Sequence, residues 1–419
     1  MPEKISESTI GIFSGFPPEH NAHVIETAFF VRALLRAGFK QVIGIADNEN
    51  RPSDIAFDER LDEYSAGDLI EPLVYPNVPV VNLHEMVSDG YDIDDKKVAE
   101  IIEKRRLDIM FLAYYPLFGE RLVEVLRKTR TKILMLAKIA LVRDSQDPVF
   151  SSYHRGYETV LGDVDKILAC QENDKRLILQ RYQLPEAKID VVPKFVDSEL
   201  LAAVQSHAPR VARKYQLEDL FSSSGRVVTY IGRIDEEKNV SALVTEIWPR
   251  VKQREPDAKL LIIGTGHQSD VIRRNACSDV RFLETNLSNL EALCVLSMVD
   301  VLAFPSGTDY TPRIPMEALL VGTKVVLNDL NFNAIFRSYC RVVSVENFGM
   351  YRPYGYNDNM RFVNGDNRKP YGKPDPQVFA EKVIAALQDD DKPVLSQKLF
   401  TSEGFIEGLK QSLRSIGIS

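Results

Sequence analysis

Short apolar runs alternate along the chain with longer segments whose apolar residues fall at helix spacing. Thr9–Ser14 is the first run and stops at Gly15. Over Val24–Ala37, Phe30, Leu34 and Leu35 recur at helical intervals, and Gly38 follows the end. Gln41–Ala46 is the next apolar run. Strand, loop, helix and strand in that order form the repeating unit of a parallel sheet. The alternation continues through Ile109–Ala113, a helix near Leu122–Lys128, Lys132–Leu136, Lys166–Cys170, a helix near Asp174–Arg181, and Ile189–Pro193. Runs that are apolar on both faces suit parallel strands covered by helices on both sides.

From Asp197 to Gly225 the pattern lapses into polar sequence ending in Ser222-Ser223-Ser224-Gly225, which reads as a domain boundary. It then restarts. Val227–Ile231, Lys259–Ile263, Val280–Leu283, Asp300–Phe304 and Lys324–Leu327 read as strands. Helices are expected at Val240–Lys252, Leu287–Ser297 and Pro315–Val321. Tyr351–Pro376, rich in Tyr, Asn, Gly and Pro, reads as a loop insertion, and Gln377–Gln388 and Ser402–Ile416 as closing helices. No repeat of solenoid period is present.

The fold class is therefore α/β, with two Rossmann-like, doubly wound parallel-sheet domains facing across a cleft. The expected boundaries are 1–200 for the N-terminal domain, which the terminal helix in 400–419 rejoins, 201–224 for a linker, and 225–399 for the C-terminal domain. Ligands of open parallel sheets bind beyond the carboxyl ends of the strands, at the topological switch point. Two such edges can enclose a two-part ligand, such as a nucleotide joined to a sugar.

Composition narrows this little. At 419 residues, 44% hydrophobic and 27% charged, the chain matches an ordinary globular protein of two or three domains. A net charge of −8 argues against a surface built for nucleic acid, and no such partner is expected. The four cysteines, Cys170, Cys277, Cys294 and Cys340, lack paired spacing, so no metal site is expected. No stretch reaches the ~18 apolar residues of a membrane span. A cytoplasmic protein is expected. Arg121–Lys132, with Leu122, Val125 and Leu126 beside five cations, is the one segment that could rest on anionic lipid. A surface helix with cations at its carboxyl end is the simpler reading and is preferred.

Two constellations carry chemistry. In Gly232-Arg233-Ile234-Asp235-Glu236-Glu237-Lys238-Asn239, an Arg and a Lys follow the carboxyl end of a buried strand. Two fixed cations there can neutralise a diphosphate, although an exposed loop carrying three acids fits the same residues. In Phe304–Leu319, a strand ends, a turn-rich loop follows, and a helix begins near Pro315. The amide-bearing end of that helix is an anion site. Glu317, placed in its first turn, can accept from ribose hydroxyls or simply complement the helix dipole.

These residues resemble the retaining glycosyltransferases of family four, which share a two-Rossmann (GT-B) fold. Lys166-Ile167-Leu168-Ala169-Cys170 and Lys188-Ile189-Asp190-Val191-Val192-Pro193 are similar to that family's strand motifs. Gly232, Arg233 and Lys238 match GRLxxxKG, with Asn239 where Gly is usual. Leu261-Ile262-Ile263-Gly264-Thr265-Gly266 matches LxIxGxG, and Asp300, Pro305-Ser306, Glu317-Ala318, Gly322 and Val325-Val326 follow in order. The resemblance spans Asp163 to Asp329; the first half is similar mainly in element order.

The resemblance implies a hexosyl transfer from a nucleoside diphosphate sugar, of undecided UDP or GDP type, to a hydroxyl acceptor, with retention and without cofactor or metal. Arg233 and Lys238 would hold the diphosphate, Asp309 the transferred sugar and Glu317 the ribose. Gly232, Gly264 and Gly266 would let the backbone turn beside the donor, and Thr311, Arg313 and Ile314 would border it. Gly15 would lie near the phosphate, and His20, His23, Tyr114 and Lys138 toward the acceptor. Several positions depart from the family. Asp309 replaces a Glu, Thr311-Pro312-Arg313-Ile314 replaces Phe-Gly-Leu-Pro, and the first loop lacks paired glycines. A sugar phosphorylase or epimerase of the same fold, or a non-catalytic sugar-nucleotide-binding subunit, are the alternatives.

Overall fold

The apolar runs assemble into two open sheets, each in its own unit. The computed structural model describes residues 4–14, 16, 22–46, 63–65, 75–83, 87–88, 92–113, 119–137, 157–222, 225–351, 369–391, 393 and 399–418. The first unit comprises Met1–Pro193 and Ser402–Ser419, the second Lys194–Thr401.

In the first unit the strands are β1 (Thr9–Phe13), β2 (Gln41–Ala46), β3 (Glu63–Ser65), β4 (Pro79–Asn82), a small β5 (Val87–Ser88) and β6 (Asp92–Ile93) hairpin, β7 (Ile109–Leu112), β8 (Lys132–Leu136), β9 (Lys166–Ala169) and β10 (Ile189–Val191). The main sheet runs β10-β9-β8-β7-β1-β2-β4-β3, parallel except for β3. Every residue of β1 and β7 is buried, as expected for central strands covered on both faces. The terminal helix Ser402–Ser415 packs on the Ala22–Ala37 helix, where the Phe30 and Phe405 rings lie 5.3 Å apart. Arg36 donates to the Ser402 hydroxyl at 3.2 Å.

The second unit holds β11 (Val227–Ile231), β12 (Lys259–Ile263), β13 (Val280–Leu283), β14 (Val301–Phe304), β15 (Lys324–Asp329), β16 (Arg341–Tyr351) and β17 (Lys369–Pro374). Their order is β13-β12-β11-β14-β15-β16-β17, parallel up to β16, with β17 antiparallel at the edge.

An aspartate just before a strand recurs as a tie between neighbours. Asp108 accepts from the Thr9 amide at 2.8 Å, Asp165 from Ile133 at 2.9 Å and Asp300 from Val227 at 2.7 Å. The motif aspartates at 165 and 300 therefore serve the amino ends of the strands, away from any site at their carboxyl ends.

Three expectations are corrected. The linker expected at 201–224 is helical over most of its described residues: Ser198–Lys214 and Glu218–Ser222 are helices of the second unit. Asp197 caps the first by accepting from the Glu199 amide at 2.8 Å. That helix packs on Asn289–Ser297, where Lys214 and Tyr215 both reach Glu291, at 2.6 and 3.0 Å. Secondly, Lys369–Pro374, placed in a loop insertion by its composition, is a strand; residues 352–368 lie outside the described residues. Thirdly, the helix placed at Pro315 begins at Arg313.

Among the described residues, no helix is long and apolar enough to cross a membrane. Four of the five cations of Arg121–Lys132 face acids: Arg121 meets Asp95 and Glu124, Arg127 meets Asp163, Lys128 meets Asp95, and Lys132 meets Asp165.

Candidate functional site

In the second sheet the chain runs outward from β11 to β12 and β13, then returns to the other side of β11 with β14. The switch point lies between β11 and β14, and ligands of open parallel sheets bind beyond the carboxyl ends of the strands at such a point. Those loops carry Arg233, Lys238 and Asp309.

The β11 loop is built around its charges. Gly232 leaves the strand at φ 155°, its amide donating to the Ile263 carbonyl at 3.0 Å. The buried Tyr230 hydroxyl donates to the Arg233 carbonyl at 2.7 Å, and burial holds that phenol protonated. The Arg233 guanidinium pairs with Asp235 and, at 2.7 Å, with Glu237. Burial works against its charge, but the Glu237 and Asp235 carboxylates outweigh it and hold its pKa above the ordinary value. Both acids are buried, while the Arg233 side chain stays 51% exposed. Arg233 is thus anchored from below with a face left to solvent. Three acids in the loop suggested a merely exposed segment; two of them are instead the buried seat of the arginine.

Lys238 is buried and looks the other way. Its ammonium donates to Asp309 Oδ2 at 2.9 Å and to the Thr308 carbonyl at 3.1 Å. The Ser306 hydroxyl donates to the same Asp309 oxygen. Asn239 follows at φ 55°, the left-handed conformation that glycine adopts most easily, which accounts for the glycine usual at that position. Asn tolerates it, and its side-chain amide donates to the Pro305 carbonyl at 2.9 Å and the Gly372 carbonyl at 2.8 Å. Gly307 completes the seam, donating to the Glu237 carbonyl at 2.8 Å and accepting from the Gly372 amide at 2.9 Å. A side chain at Gly307 would place Cβ 2.0 Å from the Gly372 carbonyl oxygen.

Beyond Asp309 the loop turns through Thr311, a buried β-branched residue at φ 44°. That conformation costs about 1–3 kcal/mol and persists only where the surroundings impose it. Pro312 then opens the Arg313–Leu320 helix as an N-cap without a side-chain hydrogen bond, so the first-turn amides of Arg313 and Ile314 are not capped by it. Because the helix starts at Arg313, Glu317 sits in its second turn. Dipole complementation, which falls off within the first turn, does not explain it. The carboxyl is 2% exposed and its Oε1 has no hydrogen-bond partner among the described residues. Burial raises its pKa to about 7, against a smaller opposing effect of Arg313. A buried acceptor without a donor is costly and calls for a ligand group or water.

Gly264 and Gly266 serve the loops themselves. At φ 148°, a Cβ on Gly264 would fall 1.8 Å from the Gly232 carbonyl oxygen, and one on Gly266 2.4 Å from that of Ile234. Close backbone approach of the β11 and β12 loops requires both.

Of the positions singled out in the sequence, Arg233, Lys238, Asp309, Thr311, Arg313, Ile314, Glu317 and the glycines at 232, 264 and 266 all lie on the loops after β11, β12 and β14 or the helix following β14. Gly15, His20, Tyr114 and Lys138 lie outside the described residues, as does the side chain of His23. Sequence reasoning met Ser306 only as a motif match, without a role, and missed Asn328 and Tyr371-Gly372. Asn328 donates to the Pro305 and Ser306 carbonyls at 2.6 and 3.1 Å, and the Tyr371 hydroxyl reaches Glu236 at 3.4 Å. The signal for Asn328 was a polar residue closing an apolar strand; nothing local pointed to Gly372.

Comparison with known proteins places this site in context. Residues 225–343 match the family described as glycosyl transferases group 1. The phosphatidyl-myo-inositol mannosyltransferase of Mycobacterium tuberculosis is 32% identical over 124 residues, which are 28% of this chain and 32% of that protein. The 2-deoxystreptamine glucosyltransferase of Streptomyces kanamyceticus is 30% identical over 142 residues, 33% of this chain and 35% of that one. The chain thus spans about a third of the length of the curated relatives it matches. Over 97% of the chain the fold is that of HepE from Anabaena, solved with UDP and glucose, at TM-score 0.64, 11% identity and 99% coverage of that structure. A glycosyltransferase from Rickettsia africae gives TM-score 0.60 at 15% identity, covering 98% of this chain and 93% of that one. The chain has the GT-B fold, and the segment that matches glycosyl transferases group 1 lies within its second unit.

Proposed function

We propose that the protein is a glycosyltransferase that moves a hexosyl group from a nucleoside diphosphate sugar to a hydroxyl acceptor, with retention at the anomeric carbon. The observation that carries the reading is Glu317: a buried carboxyl with an unpartnered oxygen, in the helix after β14. Vicinal ribose hydroxyls supply the missing donors. Arg233, seated on two acids with an open face, meets the diphosphate as a planar fork, and Lys238 meets it as a point charge. As the glycosidic bond breaks, negative charge grows on the leaving diphosphate. Fixed cations stabilise that charge more than the ground state, which is where such sites gain most of their rate. Asp309 accepts from hydroxyls of the transferred sugar. The first-turn amides of the Arg313–Leu320 helix add donors for phosphate oxygens.

Thermal melting with UDP, GDP, UDP-glucose and GDP-mannose tests this, on the wild type and on Glu317→Gln and Glu317→Ala. Stabilisation by the nucleotides of one base, weakened in both variants and most in Glu317→Ala, supports a donor site and names the base. No stabilisation of the wild type by any of the four removes the reading.

A further inference from the structure

The two cations of the site are paired in different ways. Arg233 rests on carboxylates of its own loop, two and four residues on, both buried. Lys238 pairs instead with Asp309, 71 residues away on the neighbouring loop. The side chains of that pair are 10% and 22% exposed. The Asp309 oxygen that takes the ammonium also takes the Ser306 hydroxyl. The Asp309 carboxylate and the Thr308 carbonyl therefore take two of the three donors of the ammonium that an arriving diphosphate needs. Two anions at hydrogen-bonding distance from one ammonium repel each other strongly, the more so away from bulk water.

We propose that the Lys238–Asp309 ion pair opens as the donor site fills: a nucleoside diphosphate takes Lys238 away from Asp309. The released carboxylate, still holding the Ser306 hydroxyl, then turns to the hydroxyls of the transferred sugar. One ammonium thus links the two halves of the donor. Asp309 penalises a nucleotide arriving alone, and the sugar offsets that penalty by satisfying the freed oxygen. The device favours the loaded donor over the spent diphosphate and so assists product release. This inference rests on the donor-site reading above.

Calorimetric titration of UDP and GDP, each with and without its hexose, tests it. The proteins are the wild type, Asp309→Asn, Lys238→Met and the double variant, with Lys238→Gln as a second form should Met disturb folding. Asp309→Asn is expected to bind the bare diphosphate about three- to tenfold tighter, through removal of the competing state. It should also lose the preference for the sugar-bearing form. Lys238→Met should weaken binding, and adding Asp309→Asn to it should restore nothing, because no ammonium is left to release. Unchanged or weaker diphosphate binding in Asp309→Asn overturns the inference. So does an equal gain in the Lys238→Met background, which would mean simple repulsion without exchange. If Lys238→Met and Lys238→Gln leave diphosphate binding untouched, the donor-site reading falls and takes the inference with it.

Discussion

The side-chain amide of Asn239 donates to the main-chain carbonyl of Gly372 at 2.8 Å, joining the β11 loop to the edge strand β17. Its other partner, the Pro305 carbonyl, belongs to the loop that carries Ser306 and Asp309. One buried amide thus holds three segments together, and one of them, β17, lies beyond the family-matched residues 225–343.

Replacing Asn239 by Gly tests what that amide contributes without disturbing the turn, since glycine adopts φ 55° freely. Two buried carbonyls lose a donor. Asn239→Gly should lower unfolding free energy by about 1–3 kcal/mol in urea. Asn239→Ala, which adds left-handed strain, should lose about 1 kcal/mol more. Equal stability of wild type and Asn239→Gly would show that the seam is held by the backbone alone.

Gly264→Ala makes a harsher demand. Its Cβ would meet the Gly232 carbonyl oxygen at 1.8 Å, a main-chain atom that cannot rotate away. A loss above about 4 kcal/mol is expected, enough to leave the second unit unfolded or the chain insoluble. Gly162→Ala, with nothing within 4 Å of the added carbon, is the matched control and should stay within about 0.5 kcal/mol. Circular dichroism melts of the two variants decide.

Much of this architecture was legible because parallel strands buried on both faces announce themselves. Val227–Ile231, Lys259–Ile263 and Val280–Leu283 are strands over those same residues. What escaped was set by distant partners. Ser198–Lys214 carries its buried positions, Leu200, Val204, Ala208, Val211 and Ala212, at helix spacing, but Pro209 and the small alanines mask the pattern; the surface that receives it belongs to Asn289–Ser297. Lys369–Pro374, with its prolines, glycine and lysines, has the composition of a loop and becomes an edge strand by pairing with β16. At the site, residue types and order pointed to Arg233, Lys238, Asp309 and Glu317, but not to their pairings. The acids beside Arg233 are its seat, and Asp309 reaches Lys238 across 71 residues. Local pattern puts the acids within reach of Arg233 but does not show their burial, and it carries no information about the second pairing.

That pairing changes what an arginine deletion measures. Arg233→Ala removes the counter-charge of buried Asp235 and Glu237, so a stability cost of about 1–3 kcal/mol is expected besides any loss of turnover. Arg233→Lys keeps the charge and gives up the fork. Transfer assays with urea titrations in parallel separate the effects. Turnover should fall about 10²–10³-fold in Arg233→Ala, with most of the stability returning in Arg233→Lys while most of the rate does not. Full activity in Arg233→Ala would remove the arginine from the donor site.

Glu317 gives the site a pH signature whose sign follows from its burial. The unfolded carboxyl titrates at its ordinary value of 4.5, the folded one at about 7. Between those values the folded protein holds a proton that the unfolded chain has released. Stability from this group is therefore fully present below pH 4.5, falls as pH rises toward 7 and levels off above it. The span corresponds to a few kcal/mol at most. Glu317→Gln, neutral throughout, should flatten that part of the stability–pH curve and exceed the wild type at pH 8. Ligand binding should move the opposite way. Ribose hydroxyls donate more strongly to a carboxylate than to a neutral acid, so diphosphate affinity in the wild type should rise as pH passes through 7. The diphosphate gains charge over a similar range, and Glu317→Gln isolates that contribution. Urea titrations and calorimetry at pH 5, 6, 7 and 8 on both proteins supply the curves. Parallel affinity profiles for the two would mean that Glu317 does not touch the nucleotide, whatever its effect on the fold.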